Sequence, residues 1–320
     1  MTKARVIRFM LLGLLTWIVF LPIAALADSA CSKLIVFGDS LSDSGNAFAL
    51  TGQSSVPPYP NVDQFQVPDA PYAKGGLHFS NGETWVEGFA KTLGANRSAG
   101  PAFRMPGVFC NFAVGSARAG GTSPIDLTGQ VGIFVGSSVP GESLDNALAV
   151  IVIGGNDVRD AIVDPANAVA IIGNAINAVY NSILTLEGVG VKRFLVGNVP
   201  NLALTPAIRT LDTLVPGAAG LAMTLSIAFN QELAQALVAL QNSDPDIKIA
   251  EFDIFATVGE VANNPASFGL TDTVDACVTP NVPPFTCQKP DTFAFWDGVH
   301  PTKVLHGILA DAASGALTAQ

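Results

Sequence analysis

The sequence predicts an α/β fold in which a parallel sheet is covered by helices on both faces. Three observations predict it. Short apolar runs recur at residues 34–37, 107–114, 148–153, 191–196 and 247–252, with the continuous hydrophobicity of strands buried on both sides. Segments with helical apolar spacing alternate with most of these runs. Most of the runs also empty within a residue or two into Gly, Asn, Asp or Ser, so polar groups collect at the carboxyl ends of the strands, where open α/β sheets bind ligands. No linker, repeat or shift of composition divides residues 28–320, which read as one domain.

Residues 34–46, LIVFGDSLSDSGN, open the fold. The apolar run is the first strand, and the small polar residues after it leave Ser40 at its carboxyl end. Gly38 relaxes the steric limits on that turn. Residues 51–76, rich in Pro, Gly, Ser and Asn, read as a long surface loop beside the cleft. Residues 83–93 set Trp85, Val86, Phe89 and Leu93 at helical spacing. Residues 107–114 (GVFCNFAV) are the second strand, running into the small-residue turn 115–121. A helix over 125–135 is weakened by two glycines. The strand 148–153 (LAVIVI) ends in Gly154, Gly155, Asn156 and Asp157. A long helix over 166–186, a strand over 191–196, a second long helix over 221–240, a strand over 247–252 and a last helix over 302–317 complete the order.

Composition excludes some functions. The chain has 320 residues, 49% apolar and 13% charged, with a formal net charge of −10. That acidity, with no basic run, argues against a nucleic-acid partner. Residues 1–27 read as a secretory signal peptide: Lys3, Arg5 and Arg8 precede an apolar run, and Pro22 and the small residues Ala25 and Ala27 set a cleavage site. An uncleaved anchor over 9–27 is the alternative, since that stretch approaches a membrane-spanning length. Residues 28–30 lack the apolar residue that lipidation of Cys31 would need. The mature protein is therefore expected outside the cytoplasm, without stable membrane insertion. Four cysteines in an exported chain suggest disulfides. Cys277 with Cys287 closes a short proline-rich loop, and Cys31 pairs with Cys110 if their strands lie side by side. A zinc site is the rival reading, although no close pair of cysteines supports it.

A serine needs a base to take its proton, and the chain offers three histidines. His306 falls on the side of the last helix that carries Lys303 and Asp311, and reads as a solvated surface residue. His78 lies in a loop and is a weaker candidate. His300 lies in FWDGVHP. Pro301 holds it extended beside a helix start, and Asp297, three residues earlier, can accept from its Nδ1–H and leave Nε2 as the base. Taken alone, Asp297 reads as well as a turn cap. Acyl transfer also needs donors for a developing oxyanion. The backbone N–H groups of Ser40 and Gly115 and the amide of Asn156 all sit just after predicted strands.

These segments together resemble the GDSL, or SGNH, hydrolases. FGDSLSDSGN carries Ser40, NFAVGSARAG carries Gly115, IGGND carries Asn156, and FWDGVHPT carries Asp297 and His300, in the family's order. The resemblance extends to FSNGETWVEGFA, GNVPNLALTP and NNPASFGLTDTVDAC, and runs from about residue 34 to the C-terminus. It implies a three-layer αβα, flavodoxin-like fold with a five-stranded parallel sheet of order 2-1-3-4-5. It also implies an esterase or lipase that needs no metal or organic cofactor and acts on a small-molecule or lipid ester. Ser116 departs from the pattern, since relatives often have a second glycine there. Two alternatives remain open: an acyltransferase using the same acyl-enzyme, and a non-catalytic binding protein on the same scaffold.

Overall fold

The computed structural model describes residues 31, 33–52, 77–138, 143–278 and 287–318. The predicted signal peptide and most of the predicted loop over 51–76 lie outside these. The main sheet has four strands, β1 (Leu34–Gly38), β2 (Leu148–Val152), β3 (Arg193–Gly197) and β4 (Lys248–Phe252), all parallel and in that spatial order. Nine α-helices appear among the described residues: α1 (Asn46–Thr51), α2 (Trp85–Thr92), α3 (Leu127–Ser137), α4 (Gly155–Val163), α5 (Ala168–Glu187), α6 (Pro206–Leu214), α7 (Ala218–Ser243), α8 (Ile254–Asn263) and α9 (Lys303–Thr318).

The period-2 alternation of a strand divides its side chains between two layers. Ile35, Phe37, Ala149, Ile151, Phe194 and Val196 join one core cluster with residues of α3, α4, α5 and α7. Leu34, Val36, Val150, Val152, Leu195 and Phe252 join the other, with residues of α2, α8 and α9. The result is a three-layer α/β fold with the parallel sheet in the middle. The segment Pro165–Glu187, which includes α5, is long and apolar enough to cross a membrane. Within it, Ala175, Ile183 and Leu186 are fully buried in the first cluster.

The segment expected as a second strand, residues 107–114, is not a continuous one. It runs parallel to β1 through an isolated bridge between Val36 and Asn111. The Val36 N–H donates to the Cys110 carbonyl, and the Phe112 and Val114 N–H groups donate to Val36 and Gly38. Its other side is taken by residues 98–102, since the Cys110 and Asn111 N–H groups donate to Ser98 and Gly100. The backbone is thus shared between two neighbours, and the sheet has four full strands with a partial fifth beside β1.

A second, two-stranded parallel sheet was not expected. It pairs β5 (Asp272–Ala276) with β6 (Phe293–Phe295). β5 (DTVDA) is mostly polar, and β6 (FAF), though apolar and largely buried, is only three residues long, so neither carries an apolar run of the length that marked the others. Disulfides join Cys31 to Cys110 and Cys277 to Cys287, which takes all four sulfurs.

His306 is not a surface residue. It is 1% exposed, and its Nδ1 accepts from the Trp85 backbone N–H at 3.2 Å. The apolar period of α9 identified a face that packs largely against α8 and β6, and could not reveal that α2 covers another. Burial, with smaller contributions from His78 and His300, pushes the His306 imidazole down to about 3.

The end of β1 is held by close contact. A Cβ on Gly38 would stand 2.5 Å from the Val152 carbonyl oxygen. On its other side the Gln130 amide accepts from the Gly38 N–H and donates to the Gly38 carbonyl, at 2.9 and 2.8 Å. Neither neighbour can yield without breaking sheet or side-chain hydrogen bonds. Gly38→Ala is expected to cost about 2–3 kcal/mol, read as a lower urea midpoint with an unchanged m-value; a midpoint equal to the parent's would show that β1 and β2 can separate at this point.

Candidate active site

Ser40 occupies the first turn after β1 and is half buried. Asp39 shapes that turn: its carboxyl accepts from the Leu41 N–H at 3.0 Å, and its carbonyl accepts from the Ser42 N–H. Asp39 is 3% exposed. Burial pushes its carboxyl up to about 7, against the Leu41 hydrogen bond and the influence of His300.

His300 arrives from the far end of the chain on a tight loop that follows β6. The loop closes by a hydrogen bond from the Trp296 N–H to the His300 carbonyl, and by an antiparallel bridge between Phe295 and Pro301. Asp297, fully buried, organises its interior. One carboxylate oxygen accepts from the Val299 and His300 N–H groups, at 2.8 and 2.6 Å. The other lies 2.7 Å from His300 Nδ1. That leaves His300 Nε2 2.9 Å from Ser40 Oγ. Asp297 therefore both caps a turn and contacts the imidazole; the two readings the sequence left open describe one carboxylate.

The expected oxyanion donors divide. Asn156 lies in the first turn of α4, a helix that sequence reasoning missed because it starts inside a Gly-rich turn. Its side-chain amide gives one hydrogen to the Ala117 carbonyl at 2.9 Å and keeps a second for the cleft. The Ser40 N–H has no acceptor among the described residues. Gly115 is different: its N–H donates to Asp43 Oδ2 at 2.8 Å. It is buried, and a Cβ there would stand 2.3 Å from the Phe79 ring. Ser116 is exposed, and its N–H has no acceptor among the described residues. Among the described residues it is also the one non-glycine residue held at positive φ, 68°. In this structure the donor free on that turn is the Ser116 N–H, one residue beyond the predicted one.

Several buried polar residues that sequence reasoning did not single out hold these turns. Asp43 also accepts from the Gly45, Asn46 and Ala47 N–H groups. Asp157 accepts from the Ala119 and Gly120 N–H groups. Burial pushes both carboxyls up while these donors pull them down. His78, the lesser candidate for the base, is 5% exposed. Its Nε2 lies 2.7 Å from Glu87, but neither ring nitrogen makes a well-aligned hydrogen bond. Glu87 belongs to the Thr84 capping box of α2, so His78 lies against a helix start while Phe79 contacts the His300 ring at 5.2 Å.

Asp39 gives a pH signature. A carboxyl at about 7 in the folded state and near 3.8 in the unfolded chain favours the fold below pH 3.8. That contribution is lost as pH rises to 7, because the unfolded chain releases the proton first. The expected outcome for Asp39→Asn is a stability relative to the parent that rises by about 3–4 kcal/mol from pH 4 to pH 8. Urea unfolding at both pH values reads it; equal differences at the two would mean that Asp39 is ionised in the fold.

The family model of the GDSL-like lipase/acylhydrolases matches residues 34–313. The GDSL esterase/lipase APG of Arabidopsis thaliana is 26% identical over 324 residues, covering 88% of this chain and 90% of its own. Another GDSL esterase/lipase of that plant is 29% identical over 340 residues, covering 93% of each chain. Among solved structures, a lipolytic G-D-S-L protein from Veillonella parvula DSM 2008 has a TM-score of 0.41 at 15% identity, covering 90% of this chain and 99% of that one. A single-substitution form of Axe2, an acetyl xylan esterase from Geobacillus stearothermophilus, has a TM-score of 0.46 at 15% identity, covering 89% and 94%. With the family match spanning nearly all of the described sheet and helices, this chain belongs to the GDSL-like lipase/acylhydrolase family of ester-bond hydrolases.

Proposed function

We propose that the protein is an exported serine ester hydrolase that works through an acyl-enzyme on Ser40. The observation that carries the reading is the relay of two contacts, 2.7 Å from Asp297 to His300 Nδ1 and 2.9 Å from His300 Nε2 to Ser40 Oγ. Ser40 Oγ attacks the ester carbonyl carbon while its proton passes to His300 Nε2. Asp297 holds the imidazole in the tautomer with Nδ1 protonated and favours the imidazolium that forms. The carbonyl oxygen gains negative charge and takes hydrogen bonds from the Ser40 N–H, the Ser116 N–H and the Asn156 amide. The tetrahedral species collapses, the bond to the alkoxide breaks, and the imidazolium proton goes to the leaving alcohol. Water then repeats the sequence with His300 as base and releases the acid.

Export is supported by the leader-like residues 1–27 and by two disulfides, which persist in oxidising compartments. The hydrolase domain then spans residues 28–320.

Ser40→Ala is expected to lose nearly all turnover with an unchanged thermal unfolding curve, and a fluorophosphonate is expected to label the parent but not this variant. Asp297→Asn should lower kcat by about 10⁴-fold, and Asn156→Ala by about 10²–10³-fold. Ordinary turnover in the Ser40 variant would exclude the mechanism, and a negligible change at Asp297 would remove that residue from it.

A further inference from the structure

We propose that Phe79 is a positioning residue, a spacer whose ring holds the His300 imidazole at a set distance from the turn at Gly115 and Ser116. This inference rests on the ester-hydrolase reading and adds a residue to it.

Phe79 meets both sides of the cleft. Its ring lies 5.2 Å from the His300 ring, centroid to centroid, with the planes 37° apart. Its Cζ and Cε2 fill the space that a Cβ on Gly115 would need, at 2.3 and 2.5 Å. Ala47 and Val114 join it in a small buried cluster. Phe79 and His300 are 5% and 4% exposed. The spacer is itself held in place. Ser80 Oγ donates to the Pro301 carbonyl at 2.8 Å, and Asn81 Oδ1 accepts from the Lys303 N–H at 2.7 Å. The residues after Phe79 are thus tied to the residues after His300, although 221 positions separate Ser80 from Pro301.

Hydrogen bonds alone leave the imidazole one freedom. They reach it at Nδ1 from Asp297 and at Nε2 from Ser40. Two such points define a line, and the ring can tip about that line without lengthening either contact. The Ser40 contact is also given up as Oγ attacks. An aromatic ring packed against the imidazole resists tipping throughout, because close-packed side chains have no room to yield. Misplacing a reacting group by about 1 Å costs about 10²-fold in rate, so the spacer acts on turnover. It also gives residue 115 a reason to be glycine. Gly115 is not held at positive φ, so its backbone suits other residues. The atoms nearest to an added Cβ are Cζ, Cε2 and Cε1 of Phe79; the ring is what excludes a side chain there.

The test follows hydrolysis of p-nitrophenyl acetate, with kcat counted per Ser40 labelled by a fluorophosphonate. Phe79→Ala is expected to lower kcat about 10²-fold and leave KM within about threefold. Gly115→Ala should lower kcat by a similar factor, because the new methyl displaces the ring. The decisive comparison is the double variant. Leucine lacks the ring atoms that meet the new Cβ, so Phe79→Leu should raise kcat at least about tenfold in the Gly115→Ala background, while lowering it in the parent. This pair carries the test if Phe79→Ala does not fold. Relief of a clash that acted on stability alone would restore the unfolding temperature and leave kcat per labelled site unchanged, which overturns the inference. So does an unchanged kcat in folded Phe79→Ala, or a loss confined to KM. Any of these with a parent that labels and turns over leaves the hydrolase reading standing; a parent with no labelling and no turnover removes both.

Discussion

The candidate site depends on one buried carboxylate that stands apart from Ser40, Asp297 and His300. Asp43 is fully buried, yet it accepts hydrogen bonds from four backbone N–H groups, those of Gly45, Asn46, Ala47 and Gly115. Three of these donors are at the start of α1, immediately after the serine turn, and the fourth is on the turn after the partial strand. A lone carboxylate at this depth would be expelled or protonated. Surrounded by fixed donors, it fixes the spacing between the serine turn and the opposite wall of the cleft. Gly115 is committed to this contact, which is why the free N–H falls one residue later, on Ser116.

The same device recurs around the rim. Gln130 holds Gly38, Asp157 holds Ala119 and Gly120, and Asp297 holds Val299 and His300. Asn111 donates to the Ser42 carbonyl, and Asn46 donates to the carbonyls of Asn111 and Ala113. The reason is geometric. Loops that meet at the carboxyl edge of a parallel sheet bury backbone polar groups that no strand or helix can satisfy. Short polar side chains satisfy them instead. The turns that carry Ser40 and His300 are therefore held by side-chain hydrogen bonds, although the cleft is built almost wholly from turns.

Legibility in the sequence follows from the same division. The main-sheet strands β1 to β4 and the long helices α5, α7 and α9 were readable because their apolar period is set by one core. Ser40, Asn156, Asp297 and His300 were readable because each sits in a recognisable segment next to such an element. The helices α1, α4, α6 and α8 were not, because they begin within polar turns that read as loops, although Thr205 and Asp253 cap α6 and α8 locally by accepting from the Ile208 and Ala256 N–H groups. The partial strand around Asn111 failed for a related reason, since its backbone serves two neighbours and no single pattern records that. His306 failed because a periodic pattern marks the face of a helix that meets one layer and is silent about the helix beside it. Asp43 and Asp157 were visible in the motifs as ordinary turn residues; their donors lie on other segments.

The bond between Cys31 and Cys110 ties a residue three places before β1 to the partial strand beside it. Ser40 and its whole surrounding turn lie within the ring so formed. If an extracellular protease severed any one peptide link inside that ring, both fragments would stay covalently joined at the edge of the sheet. Ser40 could not diffuse away from the turn that faces it. Durability against nicking is thus conferred on the serine turn by a cross-link that makes no contact with Ser40's partners.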